Sequence, residues 1–300
     1  MANYSIKDLE HLSGIKAHTL RIWEQRYGLI NPKRTDTNIR FYDQDDLKLI
    51  LNVSLLKDNG FKISKIAQMS KEEMHETVLE IADKATSFAD QIYGLTLAMI
   101  DLDEQRFEKI ISSNTLKIGF ERTMLNIIYP FLTKIGIMWI TDSINPAQEH
   151  FISNLIRQKV IVAIDGQYET FDEEAKKYML FLPEGELHEL SLLFANYLIR
   201  ARGNRVVYLG QNMPFQDLQV AFNAYKPDYL LTIMTTKDRN ISTEEYLANL
   251  ADNFSDTPIL VAGSQVIGQD LELKENIVQI ANPNHLLEFI EEQQGHSVSR

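Results

Sequence analysis

Cysteine is absent from this 300-residue chain, which excludes a disulfide framework and any thiolate metal site. No run approaches the ~20 uncharged apolar residues that a membrane-spanning helix needs. The first residues, Met1-Ala2-Asn3-Tyr4-Ser5-Ile6-Lys7-Asp8, lack the apolar core of a secretory signal, so the chain reads as cytoplasmic with no membrane partner. Glycine and proline are sparse (13 and 8), and neither an internal repeat nor a low-complexity stretch stands out. Equally missing are a glycine-rich phosphate loop, a telling pair of carboxylates and a serine nucleophile motif. The expectation is that the chain is not an enzyme.

Positive charge is also short, with 30 Lys and Arg against 42 Asp and Glu. Its distribution matters more than the total of -12. Residues 1–70 carry eleven basic and eight acidic side chains, a net of +3, and the remainder carries -15. A basic head on an acidic body can hold a polyanion at one end while the body stays clear of it. The apolar fraction of 44% is that of a globular protein, and the length suits two or three modules.

Four rhythms divide the chain. Ser5 is a plausible N-cap for a helix reaching about Leu12, ended by Gly14, and a second helix runs from about Lys16 to Tyr27, closed by Gly28. Asp43 caps a third, and a fourth covers about 63–69. Residues 73–84 read as a linker. From 85 to 167 the pattern is helical: about 85–102, 103–113, 118–140 with Pro130 as a kink, and a fourth helix opened by Asn145-Pro146. This predicts a four-helix bundle. After residue 168 short apolar runs at 178–182, 206–209, 229–234, 259–262 and 277–280 alternate with amphipathic helices. That alternation predicts a doubly wound, five-stranded parallel sheet over 168–292, followed by a tail, 293–300. The fold class is multidomain, α and α/β.

The stretch Thr19-Leu20-Arg21-Ile22-Trp23-Glu24-Gln25-Arg26-Tyr27-Gly28 is the second helix of a helix-turn-helix. A cationic hairpin, Asn31-Pro32-Lys33-Arg34 to Arg40-Phe41-Tyr42, follows it. Together, residues 1–72 resemble the winged DNA-binding domain of MerR-family regulators. The resemblance implies a double-stranded DNA operator as partner. It puts Lys16, His18 and Thr19 at the reading end of a major-groove helix, Arg21 and Arg26 on phosphates, and Arg34, Arg40 and Tyr42 in a wing that clamps the flanking backbone. Trp23, Leu20 and Phe41 read as core.

Two further patterns lie downstream. Glu186-Leu187-His188 follows the first predicted strand, at the carboxyl end where open α/β sheets gather ligands. It resembles the acid-x-His core of cobalamin-binding domains. The resemblance makes His188 the lower axial ligand of cobalt, oriented by Glu186. It also implicates Ser191, Thr232, Ala262 and Gly263 around the cofactor's nucleotide tail. Ser191 and Ala262 stand where the family carries glycine, and Thr232 where it carries serine. Trp139, followed nine residues later by Glu149-His150, resembles the bundle of light-sensing cobalamin-dependent MerR regulators, the CarH and LitR group. There the bundle caps adenosylcobalamin, and His150 is the implied upper ligand after photolysis. This resemblance implies a repressor that assembles as a dimer or tetramer on its operator under control of adenosylcobalamin and light. Two alternatives stay open: a degenerate sensing domain answering to another ligand or a protein partner, and a cobalamin-carrying enzyme subunit, which the DNA-binding head argues against.

Overall fold

The computed structural model describes residues 4–34, 38–58, 60–84, 88–140, 144–167, 175–237 and 241–294. The chain divides into two compact units, 1–155 and 156–300. The division falls inside one helix, earlier than the expected start of the sheet domain at 168.

The first unit opens with α1 (Ile6–Ser13) and α2 (Ala17–Tyr27). Ser5 and Asp8 form a reciprocal capping box at the start of α1, and Gly14 ends it in the left-handed region at φ 72°. Only glycine takes that conformation without strain. α2 has no side-chain cap of its own residue Lys16; instead Glu10 of α1 accepts the Ala17 N–H at 3.0 Å and pairs with Lys16 at 3.1 Å. The turn is thereby fastened by the helix before it. β1 (Lys33–Arg34) and β2 (Arg40–Phe41) form the antiparallel wing, with its tip, 35–37, outside the described residues. α3 (Gln44–Asp58) starts at another reciprocal box, in which Asp43 and Asp46 exchange backbone N–H bonds at 3.0 Å.

After the short α4 (Ile63–Ile66) comes a correction. Residues 73–84, expected as a linker, lie within a continuous helix, α5 (Lys71–Lys84). Met74 and Val78, one turn apart, are both buried. Their spacing of four puts them on one face, and the charged residues around them hid that face in the sequence.

The bundle follows as α6 (Phe88–Asp101), α7 (Glu104–Ile118), α8 (Phe120–Thr123), α9 (Tyr129–Ile140) and α10 (Pro146–Asp165). α7 runs five residues beyond the expected end at 113, until Gly119 caps it at φ 84°. Between α8 and α9 the chain makes one turn of π-helix, Met124–Ile128, in which Tyr129 N–H reaches back to the Met124 carbonyl. Pro130 has no N–H to give, so the widened turn immediately before it absorbs the lost bond without ending the helix. Asn145 and Gln148 form the capping box that opens α10.

In the second unit, β3 (Lys177–Pro183), β4 (Arg205–Met213), β5 (Tyr229–Ile233), β6 (Ile259–Ala262) and β7 (Ile277–Gln279) pair in parallel in the order β4-β3-β5-β6-β7. α11 (Leu190–Arg200), α12 (Phe215–Tyr225), α13 (Thr243–Asn253) and α14 (Pro283–Gln293) connect and cover the sheet. The doubly wound expectation holds. One core joins Met179, Phe181, Leu230 and Val261 of the strands to Leu218 of α12 and Leu247 and Leu250 of α13. The expected tail lies outside the described residues from 295 onward. No described helix is long and apolar enough to cross a membrane.

Lys134 of α9 lies in the first unit with its ammonium 4.4 Å from the ring centre of Tyr93 of α6. Burial pulls its pKa down to about 8, against ~10.4 in an unfolded chain. Between these values the unfolded chain binds the extra proton, so stability should rise as pH climbs from about 8 to about 10.5. Lys134→Met should remove that rise relative to the parent and stabilise the chain at pH 7 by about 1–2 kcal/mol, as read by urea melts at several pH values.

Candidate functional site

The DNA-facing expectations centre on α2. Its buried residues are Leu20 and Trp23, which hold the head together as expected. On the opposite face, His18, Arg21, Ile22, Gln25 and Arg26 are all exposed. Their spacing of three and four makes one continuous stripe along the helix. Ile22, 47% exposed, and Gln25 were not singled out by motif, although the same periodicity that buries Leu20 and Trp23 places them there. An apolar side chain and an amide among cations are the groups that read a thymine methyl and an adenine edge. Thr19 is half-buried at the stripe's edge, and Lys16 is held by Glu10.

In the wing, Arg34 donates to the Asn38 side chain at 2.7 Å, Lys33 pairs with Asp43, and Arg40 lies 3.8 Å from Glu24 of α2. Tyr42 requires a correction. It is fully buried, and its backbone pairs with Tyr4 through N–H···O bonds of 2.8 and 2.9 Å in both directions. That pairing ties the chain entry to the wing, and the buried ring is not available to clamp a phosphate backbone.

In the bundle, Trp139 lies in the last turn of α9, its side chain outside the described part. Glu149 and His150 occupy the first turn of α10. The His150 Nδ1 is 2.8 Å from the Glu149 carboxylate, and the imidazole is 73% exposed. A carboxylate at Nδ1 selects the Nδ1–H tautomer and leaves the lone pair on Nε2, the arrangement of a metal-binding histidine.

The second unit carries the same device in a far more constrained setting. Glu186, 4% exposed, sits in the loop between β3 and α11. One carboxylate oxygen accepts from the backbone N–H of Leu187 and of His188, both at 3.0 Å, and lies 2.6 Å from His188 Nδ1. The other accepts from the N–H groups of Thr235 and Thr236 at 2.7 and 2.6 Å and from the Thr235 hydroxyl at 2.8 Å. Thr235 and Thr236 follow β5, the neighbour of β3, so Glu186 bridges the two loops that part at the topological switch point of the sheet. The end of β4 supports the same loop: the Asn212 side chain accepts the Gly185 N–H at 2.8 Å, and Gln211 donates to the Leu187 carbonyl at 2.6 Å. His188 is thus oriented while remaining 72% exposed.

The other expected residues differ in setting. Ser191 is half-buried in the first turn of α11, and Ala262 is half-buried at the end of β6. Thr232 is fully buried on β5, and its hydroxyl has no hydrogen-bond partner among the described residues. Gly263 is needed for a local reason that the motif does not reveal: at φ +100°, a Cβ would meet the Met234 carbonyl oxygen at 2.3 Å. A cleft of about 490 Å³ opens beside Glu186, lined among others by Gly185, Thr236, Lys237 and Ser242.

Burial alone would raise the Glu186 carboxyl, but the bonds from His188, Thr236 and Thr235 outweigh it and hold it well below the usual carboxylate range. A folded value below the unfolded one means that this stabilisation is complete above about pH 4.3 and is lost as acid approaches the folded value. Glu186→Gln should therefore melt earlier at pH 7 and lose less stability than the parent between pH 5 and 3, measured by thermal denaturation.

A family model described as MerR HTH family regulatory protein matches residues 4–73, the head and the first residues of α5. A second, described as B12 binding domain, matches residues 91–163, which is the bundle from α6 to α10. The HTH-type transcriptional repressor CarH of Myxococcus xanthus is 27% identical over 233 residues, 76% of this chain and 77% of CarH. CarA of the same organism, also an HTH-type transcriptional repressor, is 25% identical over 264 residues, 86% of this chain and 85% of its own. Among solved structures, the monomethylamine corrinoid protein of Methanosarcina barkeri shares the fold over 65% of this chain and 94% of its own, with a TM-score of 0.52 at 13% identity. The chain is a MerR-type helix-turn-helix head joined to a B12-binding domain, homologous to the transcriptional repressors CarH and CarA.

Proposed function

We propose that this chain is an operator-binding transcriptional repressor whose DNA occupancy is set by adenosylcobalamin and light through assembly into a dimer or tetramer. The observation that carries the cofactor part is the grip of the buried Glu186 on His188 Nδ1 at 2.6 Å. A histidine held as the Nδ1–H tautomer at a strand's carboxyl end is built to offer Nε2 to a metal. The donor set therefore fits a cobalt corrin, and the buried hydroxyl of Thr232, without a partner among the described residues, is a polar group suited to a buried ligand segment.

His188 would hold the cobalt through Nε2, with Ser191, Thr232, Ala262 and Gly263 lining the path of the nucleotide tail. Trp139, Glu149 and His150 would cover the cofactor from the bundle, with His150 as a second imidazole able to serve cobalt. When bound, the cofactor supplies a cobalt–carbon bond that visible light breaks; the chain supplies none of that photochemistry. Its residues orient the ligand, cover it and pass its state to the head. Duplex DNA is held by the α2 stripe of His18, Arg21, Ile22, Gln25 and Arg26 with Lys16, Thr19, Arg34 and Arg40 around it. Two heads on one symmetric operator explain why assembly controls occupancy. We assign no enzymatic role.

A second reading rests on the cleft beside Glu186: with the corrin excluded, a small polar molecule binding at Thr236, Lys237 and Ser242 would be the signal. One experiment separates the two. The chain is purified with adenosylcobalamin in darkness, its visible spectrum is recorded, and it is then illuminated. A retained corrinoid spectrum that changes on illumination is expected. His188→Ala should shift the bound spectrum toward that of a corrin without a protein imidazole and weaken retention at least tenfold. A chain that retains no corrinoid sinks the first reading.

A further inference from the structure

Tyr93 of α6 has no part in the assignments above, yet its hydroxyl reaches into the DNA-binding head. It donates to the carbonyl of Ser13 at 3.1 Å and lies 3.2 Å from the Ser54 hydroxyl of α3, which donates to the same carbonyl at 2.8 Å. Ser13 is the last residue of α1, and both serines are 2% exposed. The Ser13 side chain donates to the Leu9 carbonyl at 2.6 Å and accepts the Ile15 N–H at 3.2 Å. The last carbonyls of any helix need outside partners. Here one of the two donors at the turn between α1 and α2 is Ser54 of α3, and the other comes from the bundle's first helix, eighty residues away. Lys134 of α9 rests on the ring of the same tyrosine.

The opposite end of α6 is also fastened. Gln148 of α10, immediately before Glu149-His150, donates to the Ile100 carbonyl at 3.1 Å and is itself 6% exposed. Asp101 pairs with Lys48 of α3 and lies 3.7 Å from Arg106. Lys48 therefore meets Asp101 while Ser54 meets Tyr93, which makes α3 and α6 antiparallel and joined at both ends. Between Tyr93 and Ile100 lie two helical turns, about 10 Å, with no glycine hinge beyond Gly94, whose added Cβ would strike Ile110 at 2.8 Å.

We propose that Tyr93 is a positioning residue for the recognition helix, and that α6 is a rigid connection through which the Glu149–His150 end of the bundle sets the angle of α2. The coupling part rests on the cobalamin-responsive reading above; the positioning part does not. A shift of the α10 start pulls on the Ile100 carbonyl, and α6 passes that shift to the hydroxyl that caps the α1–α2 turn. The shared Ser13 carbonyl, met by Tyr93 at 3.1 Å and by Ser54 at 2.8 Å, is the contact through which such a shift would reach the turn.

The test uses the full chain and a duplex selected by the wild-type protein from a random-sequence pool. Tyr93→Phe keeps the ring under Lys134 and deletes the hydroxyl; Ser54→Ala deletes the second donor while favouring helix. DNA affinity is titrated in darkness with and without adenosylcobalamin. The wild-type ratio of loaded to free affinity is expected to fall at least fivefold toward one in Tyr93→Phe, with an unchanged corrinoid spectrum. Ser54→Ala should move the ratio in the same direction. A wild-type ratio in both variants overturns the coupling. Should the wild type itself show no cobalamin dependence, the cofactor reading fails and positioning is judged by hydrogen exchange. Tyr93→Phe should then speed exchange of the Ile15 and Ala17 amides at least fivefold while the α9 amides are unmoved; unchanged exchange overturns the proposal.

Discussion

The buried, ionised carboxylate of Glu186 is the constraint on which the second unit's site depends. A carboxylate taken out of water is costly unless its oxygens are met by donors. Its donors come from two places: its own loop, through Leu187 and His188, and the loop after β5, through Thr235 and Thr236. Neither loop alone satisfies the charge. In a sheet ordered β4-β3-β5-β6-β7, those loops leave neighbouring strands toward opposite faces, so a crevice forms between them by topology. Glu186 fastens the crevice at its floor and turns His188 outward in one tautomer. The backbone around it follows suit: Asn212 takes φ 53° at the end of β4, where its side chain and the Gln211 amide reach the same loop.

The Glu149–His150 pair uses the same chemistry with far less enforcement. Glu149 is 28% and His150 73% exposed, and pairs so open to water are worth little in stability. The contrast suits two different duties. On the proposed reading, His188, gripped by a buried and multiply bonded anion, would be the fixed ligand, and His150, near the exposed start of α10, would be the one free to swing.

Legibility in the sequence tracked how local each cause was. Ser5, Gly14, Gly28, Asp43 and Asn145 act on their own helix ends, and each does in the structure what its residue type predicts. β3, β5 and β6 were legible because a buried parallel strand is an uninterrupted apolar run, and the edge strands β4 and β7 by short apolar runs. The residues that escaped owe their roles to distant partners. Tyr42 looked like a wing cation's aromatic neighbour, but Tyr4 claims its backbone. Residues 73–84 looked like a polar connection because charged residues surround the apolar positions, of which Met74 and Val78 are buried. Gly263 matched a cofactor motif, whereas its positive φ and the carbonyl of Met234 already forbid a side chain. Pro130 announced a disturbance in α9 but not its form as a π-turn. Of the site, Glu186 and His188 were legible as a pair two residues apart; Thr235 and Thr236, almost fifty residues on, were not.

The charges of the head bear on why assembly would matter. Lys16, Lys33 and Arg40 each face a carboxylate of the head itself, Glu10, Asp43 and Glu24. A phosphate must compete with those partners, so the cations are held in place more than they are released for binding. The net charge over residues 1–70 is only +3. Each phosphate contacted by one of the head's cations would add about -0.9 to the slope of affinity with salt. Joining two such heads at the spacing of an operator makes the second contact intramolecular and raises avidity by about 10²–10⁴ without any new contact. On the proposed reading, a weakly basic head with an acidic body would depend on pairing for its hold on DNA, and control of pairing would then be control of occupancy.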